Sequence, residues 1–270
     1  SNNVAIGANA MDANTTGAGN VAIGSVALEA NTTGAGNISI GANSQQDTTT
    51  GGFNVAIGSY SMYVNTTGYD NTAMGQESLR RNTTGHTNVA IGHDSLAQNT
   101  TASNNVAIGY SALTANTTGT ENSALGRDAL LANTTGNKNV AIGHLAMRTT
   151  TTGYDNVGIG VGALHNNTTG YQNIGIGKSA LAANTTAESN TAIGWEALTS
   201  TTTSPNNVGI GKNSLLTMTS GSGMNTAVGV GSLQLLTTGA SNVAVGFEAE
   251  KAITTGSNNT GLGYRALYAN

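Results

Sequence analysis

A 17-residue repeat constrains this chain more than any other feature. Residues 105–121 read NVAIGYSALTANTTGTE, and the pattern begins again at Asn122. Sixteen copies each start at an Asn and follow one another at 17-residue intervals, except for one 18-residue copy at 207–224. A fixed period this short is typical of a solenoid, in which each repeat stacks on its neighbour. We number the positions of the unit 1 to 17 from its Asn.

Conservation between the copies falls into three blocks. Position 1 is always Asn, position 5 always Gly, position 3 only Ala, Gly or Ser, and position 4 only Ile, Leu, Met or Val. Positions 8 and 9 are Ala or Ser followed mostly by Leu or Met, and positions 12–15 are mostly Asn-Thr-Thr-Gly. We interpret the blocks as short strands and the variable pairs between them as solvated turns. In residues 105–121 the predicted structural ladder consists of Asn105, Ala107, Ile108, Gly109, Leu113, Asn116, Thr117, Thr118 and Gly119.

This pattern predicts an all-β chain, a parallel β-solenoid of about 15–16 coils of 17 residues. Gly, Asn and Thr dominate the unit and no 3.6-residue apolar stripe is present, so a helical repeat is disfavoured. Coils should rise by about 4.8 Å each, with hydrogen bonds and Asn and Thr ladders running from coil to coil. We expect one continuous domain over 1–270, uncapped at both ends, as in part of a longer fibre or an end-to-end polymer.

Both faces of the predicted strand lack charge. Positions 2 and 4 share one face and position 3 takes the other. A solvated face normally tolerates Lys or Glu, so we expect one face to fill the interior of the coil and the other to be covered by neighbouring chains. Three chains are the number that closes most simply. The alternative is that position 4 lies inside and position 3 is small by drift.

The repeat resembles those of known surface fibres. The runs Asn88–Gly92 and Asn190–Gly194, each followed two residues later by Ser-Leu or Ala-Leu, resemble the head repeats of trimeric autotransporter adhesins. Together with Asn-Thr-Thr-Gly they resemble phage tail-fibre repeat proteins. The resemblance implies a left-handed β-roll assembled as a homotrimer, outside the cell or on a virion. The adhesin head repeat is shorter than 17 residues, so its packing does not transfer directly.

Composition and spacing disfavour several function classes. The net charge is −4 with nine scattered basic residues, so we expect no nucleic-acid binding. No apolar run reaches the length of a membrane span, so we expect no membrane insertion. His93 and His144 share position 6 but lie three coils, roughly 14 Å, apart, too far for one metal ion. No catalytic or nucleotide-binding motif is recognisable. We therefore expect no enzyme activity, no metal site and no cofactor.

The few aromatic residues are the best candidates for contact with a partner. Four of them occupy position 6 in a turn: Tyr110, Trp195, Phe247 and Tyr264. Flat rings on a rigid scaffold suit a sugar or receptor, although isolated surface rings are the alternative. Nine units also carry Asn-Thr-Thr, a glycosylation sequon. The alternative is that this Asn holds a turn and the Thr fills a ladder.

These observations predict a structural extracellular fibre or filament segment. We expect it on a cell or virion surface, serving adhesion or host attachment. Its partners would be copies of itself, in a homotrimer or a lateral or end-to-end polymer, and a host-surface glycan or receptor. The alternative function is ice binding through a flat Thr ladder. Ice-binding solenoids expose alternate Thr on a free side, whereas here the Thr are adjacent.

Overall fold

The computed structural model describes residues 2–269, in which strands and turns are present and no helix occurs. The chain divides into two compact units, the N-terminal unit Ser1–Asn137 and the C-terminal unit Lys138–Asn270. Each is a parallel β-solenoid with one three-residue strand per coil. The predicted fold class is therefore confirmed.

The strands of each unit lie in sequence order and pair in parallel. The N-terminal unit contains β1 (Val4–Ile6), β2 (Val21–Ile23), β3 (Ile38–Ile40), β4 (Val55–Ile57), β5 (Thr72–Met74), β6 (Val89–Ile91), β7 (Val106–Ile108) and β8 (Ser123–Leu125). The C-terminal unit contains β9 (Val140–Ile142), β10 (Val157–Ile159), β11 (Ile174–Ile176), β12 (Thr191–Ile193), β13 (Val208–Ile210), β14 (Thr226–Val228), β15 (Val243–Val245) and β16 (Thr260–Leu262). Equivalent positions face each other, for example Ala90 and Ala107. This register brings identical positions into columns along each unit.

Only positions 2–4 form a strand, so the prediction of three strands per coil was wrong. Positions 6–11 are turns, and positions 13 and 14 form a bend. The backbone of Leu113, at position 9, is left-handed, with φ of 54°. This conformation costs a non-glycine residue roughly 1–2 kcal/mol and breaks the extended geometry that a strand needs. Coil-to-coil hydrogen bonds continue nevertheless, as from Leu113 N to Ala129 O (2.9 Å) and from Ala115 N to Leu131 O (3.1 Å).

The interior of the coil at 105–121 is narrow and holds one large apolar side chain. Ala107 at position 3, Ala112 at position 8 and Leu113 at position 9 are completely buried. Position 3 packs against position 9 of the preceding coil, because a Cβ added to Gly158 would lie 2.7 Å from Met147 Cγ. Such close packing leaves no room for a large residue at position 3. Position 3 therefore lies inside, and the alternative that position 4 fills the interior was wrong.

The glycine at position 5 is required for two reasons. Gly109 has φ of +137°, a region that side chains of L-residues rarely adopt. A Cβ at this position would also lie 2.6 Å from the carbonyl oxygen of Gly126 in the next coil. The invariant glycine therefore meets two requirements together, a backbone with positive φ and a close approach to the next coil.

Candidate functional site

An uncovered apolar surface runs along the strands of each unit. It consists of positions 2 and 4, whose side chains point away from the buried position 3. We call this surface the apolar face. In the N-terminal unit it comprises Val4, Ile6, Val21, Ile23, Ile38, Ile40, Val55, Ile57, Thr72, Met74, Val89, Ile91, Val106, Ile108, Ser123 and Leu125. In the C-terminal unit it comprises Val140, Ile142, Val157, Ile159, Ile174, Ile176, Thr191, Ile193, Val208, Ile210, Thr226, Val228, Val243, Val245, Thr260 and Leu262.

No residue of the apolar face is charged, and none of these 32 side chains is buried. Ile57 and Ile142, for example, each remain 38% exposed. Soluble monomers rarely present a continuous apolar surface of this extent, which is typical of an interface. Sequence reasoning identified the uncharged faces but left open which one points outwards.

Two buried asparagine columns hold the coils in register. At position 1, Asn105 Nδ2 donates to Gly119 O (2.9 Å), and Asn105 Oδ1 accepts from Asn122 N (2.9 Å). At position 12, Asn116 Nδ2 donates to Asn99 Oδ1 (3.1 Å) and to Gly119 O (2.9 Å). Stacked amides of this kind satisfy polar groups that would otherwise be costly to bury.

The threonine pair of each coil is divided between two roles. Thr117 at position 13 donates from Oγ1 to Thr134 O (3.0 Å) in the next coil, whereas Thr118 at position 14 is exposed. The nine sequon asparagines stand at position 12, and eight of them are completely buried, while Asn14 is half-buried. Their amides are engaged in the ladder, so the folded coil does not present them for glycosylation.

The position-6 aromatic rings are exposed, and residues of the same column lie against the faces of Tyr110. Tyr110 is 52% exposed and stacks on His93 with ring centroids 5.4 Å apart. The guanidinium of Arg127 lies 5.7 Å from the centroid of the same ring. Because coil spacing places such residues in contact, the faces of the Tyr110 ring are not free for a flat sugar. The predicted sugar or receptor contact would have to use ring edges and the neighbouring cations.

The same arrangement recurs in the C-terminal unit. Phe247 and Tyr264 stack with ring centroids 5.5 Å apart, and the Arg265 guanidinium lies 5.3 Å from the Tyr264 centroid. Glu248 accepts hydrogen bonds from both Lys251 and Arg265. The hydrogen bond from Lys251, together with the Arg265 contact, holds the pKa of Glu248 below its ordinary value. The Glu248 carboxylate therefore neutralises part of the positive charge that Lys251 and Arg265 bring to this cluster.

Trp195 has a different environment from the other rings. It is 47% exposed, and its neighbours at position 6 are both lysines. Lys178 Nζ lies 5.7 Å and Lys212 Nζ 4.4 Å from the indole. Within residues 2–269 neither ammonium forms an ion pair. The ring and its two cations form an exposed positive site on one turn column.

Position 16 carries a second set of aromatic residues, Tyr69, Tyr154 and Tyr171, which the sequence places in a turn but whose stacking was not predicted. Tyr69 stacks on His86 with centroids 4.7 Å apart, and Tyr154 stacks on Tyr171 at 4.9 Å. The signal that could have revealed these pairs is their separation of 17 residues, one coil, at a single position. The same reasoning applies to His93 and Tyr110.

One ionisable side chain lies inside the C-terminal unit. Glu250 takes the place of Leu at position 9 and is completely buried. Both of its carboxylate oxygens lack a hydrogen-bond partner among the described residues. Burial raises the pKa of this carboxyl above its ordinary value. The site is too isolated for acid–base chemistry with a second group.

Other sites of catalysis or metal binding find no geometric support. In residues 2–269 no group of three His, Cys, Asp or Glu is arranged to hold a metal ion. Three histidines, His86, His93 and His165, contact a neighbouring side chain, as in the contact of His93 Nδ1 with Asp94 Oδ2 at 3.0 Å. The described part of the chain also lacks a helix long and apolar enough to cross a membrane. Comparison with protein-family models and with curated proteins finds no match to this chain.

Proposed function

We propose that this chain is a structural segment of an extracellular fibre, in which copies associate along their apolar faces. The observation that carries the proposal is the uncharged, uncovered apolar face of each unit. A solenoid built for a solvated monomer would need only one uncharged side on each strand. Here position 3 already packs inside the coil, so burial within the same chain does not explain the Val and Ile at positions 2 and 4. Contact with another molecule would explain them.

A second copy of the chain is the partner that fits this face best. The apolar side chains recur at the coil spacing of about 4.8 Å, and a second copy has the same spacing because its sequence is identical. A partner of a different period would match only a few coils. Closed association of three chains would cover every copy of the face, and open lateral association would give a filament. Surface adhesion or host attachment is the proposed use of such a fibre.

The test is the native mass of the full chain with charge placed on the face. Ile57→Glu and Ile142→Glu place one carboxylate on the apolar face of each unit. Matched controls are Thr50→Glu and Thr152→Glu, which add the same charge at exposed position 14. Sedimentation should show an oligomer for wild type and both controls, and at least tenfold weaker association for the Ile variants. A monomeric wild-type chain would overturn the proposal.

Ice binding remains the second candidate, supported by the exposed threonines of position 14. Thr101 and Thr118 are exposed on consecutive coils, and their hydroxyls recur at strand spacing. The position-13 hydroxyls are less suited to this role, since Thr117 Oγ1 is bonded to the next coil. Thermal hysteresis at micromolar protein would favour this candidate over the fibre.

A further inference from the structure

The turn around Trp195 has the composition of a binding site for an anion. Lys178, Trp195 and Lys212 stand at position 6 of three consecutive coils, and the pairing of β11, β12 and β13 holds them in one column. Hydrogen bonds between the turns fix their backbone, from Glu196 N to Lys178 O and from Asn213 N to Trp195 O (both 3.0 Å). The site is therefore built on a rigid support.

The two ammonium groups are placed where an acidic ligand can reach both. They lie on opposite sides of the indole and two coils apart, roughly 10 Å at the coil spacing. Each keeps its N–H donors free of an ion pair in the described part of the chain. The position-7 neighbours Ser179 and Asn213 are neutral, and Glu196 is the one adjacent acid in this turn row. The other cation–ring clusters differ, since Arg127 and Arg265 are each paired with a carboxylate.

We infer that this turn binds an acidic saccharide, one that carries carboxylate or sulfate groups. Such a ligand would place anionic groups on Lys178 and Lys212, while the exposed edge of Trp195 contacts the sugar and its N–H donates to a hydroxyl. Nucleic acid is the weaker fit, because the chain has a net charge of −4 and no basic stripe. The inference rests on the proposed function for its use, which is attachment of the fibre to an acidic surface coat.

Single exposed charge pairs contribute little, and salt screens them. Binding by one copy should therefore be weak and should fall steeply with ionic strength. Association of several copies would present the turn several times and raise the apparent affinity without any new contact.

The experiment uses the fluorescence of Trp195, which is the only tryptophan in the chain. The full chain is titrated at low salt with heparin oligosaccharide and, separately, with neutral dextran of similar length. We expect a saturable change with heparin that is lost on adding salt, and no change with dextran. The double variant Lys178→Gln/Lys212→Gln should weaken heparin binding at least tenfold. The control Lys138→Gln/Arg148→Gln removes the same charge elsewhere in the unit and should bind like wild type.

Three outcomes would overturn the inference: no response of the wild type to heparin, equal losses in both double variants, or equally tight binding of single-stranded DNA. The last would indicate a general polyanion surface. Sedimentation of the same samples separates this result from the fate of the proposed function. If the wild-type chain forms oligomers but does not bind heparin, only the saccharide site is refuted. If the wild-type chain is monomeric but still responds to heparin, the saccharide site is supported and the proposed fibre is refuted.

Discussion

Asn31 and Thr48 occupy position 12 of consecutive coils, and each carries a buried oxygen without a hydrogen-bond partner. Asn31 Nδ2 donates to Asn14 Oδ1 at 2.8 Å, but neither Asn31 Oδ1 nor Thr48 Oγ1 is satisfied. The pair Asn184 and Thr201 repeats this arrangement in the C-terminal unit. The threonine side chain has no amide to donate to the oxygen of the preceding asparagine. The ladder of amide hydrogen bonds is therefore interrupted at this coil.

Restoring the amide should stabilise each unit. Thr48→Asn and Thr201→Asn supply an Nδ2 donor to the orphaned oxygen of the preceding coil and remove the buried hydroxyl. Since an unsatisfied buried polar atom costs about 1–3 kcal/mol, we expect a gain of about 1 kcal/mol or more for Thr48→Asn. The gain for Thr201→Asn should be smaller, because Met218 follows at position 12 and offers no donor to the new Oδ1. Denaturant unfolding measures the gain. Thr67→Asn, on the exposed position 14, is the matched control and should change stability little.

The position-5 glycine should not tolerate even a methyl group. Gly109→Ala brings a Cβ to 2.6 Å from the carbonyl oxygen of Gly126 and requires φ near +137° for alanine. Strain and overlap together should cost several kcal/mol and lower the melting temperature of the N-terminal unit.

Gly19→Ala is the control for that experiment. Gly19 also has positive φ, +70°, but a Cβ there meets nothing within 4 Å. Phe53 occupies the same position with φ of 56°, so a side chain is accommodated. We expect a cost of about 1 kcal/mol. Similar costs for the two variants would show that close approach between coils does not explain the invariant glycine.

The sequence was sufficient to predict the period and the parallel stacking, although only one of the three predicted strand blocks forms a strand. The period and the stacking are evident because the residue at each position of the unit meets the same environment in every coil. The orientation of the strand was not evident, because positions 3 and 4 both lack charge. Packing resolves it: Leu113 already fills the interior, so a second large side chain at position 4 could not lie inside. The paired small and large residues at positions 3 and 9 could have indicated this.

Other features depend on contacts that the repeat pattern does not encode. The left-handed backbone of Leu113 has no sequence signature, since Leu is a poor residue for that region. Stacked pairs such as Tyr154 and Tyr171 require the coil spacing before their one-coil separation becomes meaningful. The same holds for Lys178 and Lys212, which are 34 residues apart in sequence and which only the stacking of three coils brings close to Trp195.

The buried carboxyl of Glu250 should make the C-terminal unit less stable at neutral pH than in mild acid. Its pKa is raised in the folded state by burial, so the folded protein favours the protonated form. As pH rises from the ordinary value of 4.5 through the raised folded value, the folded state must bury a charge and stability falls. Glu250→Gln should remove this decline and stabilise the unit at pH 7.

Gln45 offers a matched test, because it occupies the same position 9 in the N-terminal unit. Its Nε2 donates to Ile38 O at 2.9 Å, an interaction that a glutamine at 250 could make with Val243 O. Gln45→Glu should introduce the pH dependence into the N-terminal unit. Unfolding midpoints measured from pH 4 to pH 8 compare the two variants with wild type. A Glu250→Gln variant with an unchanged pH profile would contradict the assignment.

Substitutions at two adjacent residues of β7 should distinguish an effect on folding from an effect on association. Ala107 is completely buried, so Ala107→Glu forces a charged side chain into a filled interior and should cost several kcal/mol of stability in dilute, dissociated protein. Ile108 is half-buried on the apolar face, so Ile108→Glu should leave the melting temperature of dissociated chains within a few degrees of wild type. Its effect should be on oligomer mass, which we expect to fall as the carboxylate is repeated across the interface.

Thermal unfolding and sedimentation of the same two samples distinguish these effects. If Ile108→Glu unfolds the dissociated chain as readily as Ala107→Glu does, position 4 contributes to the interior and the apolar face is not an interface.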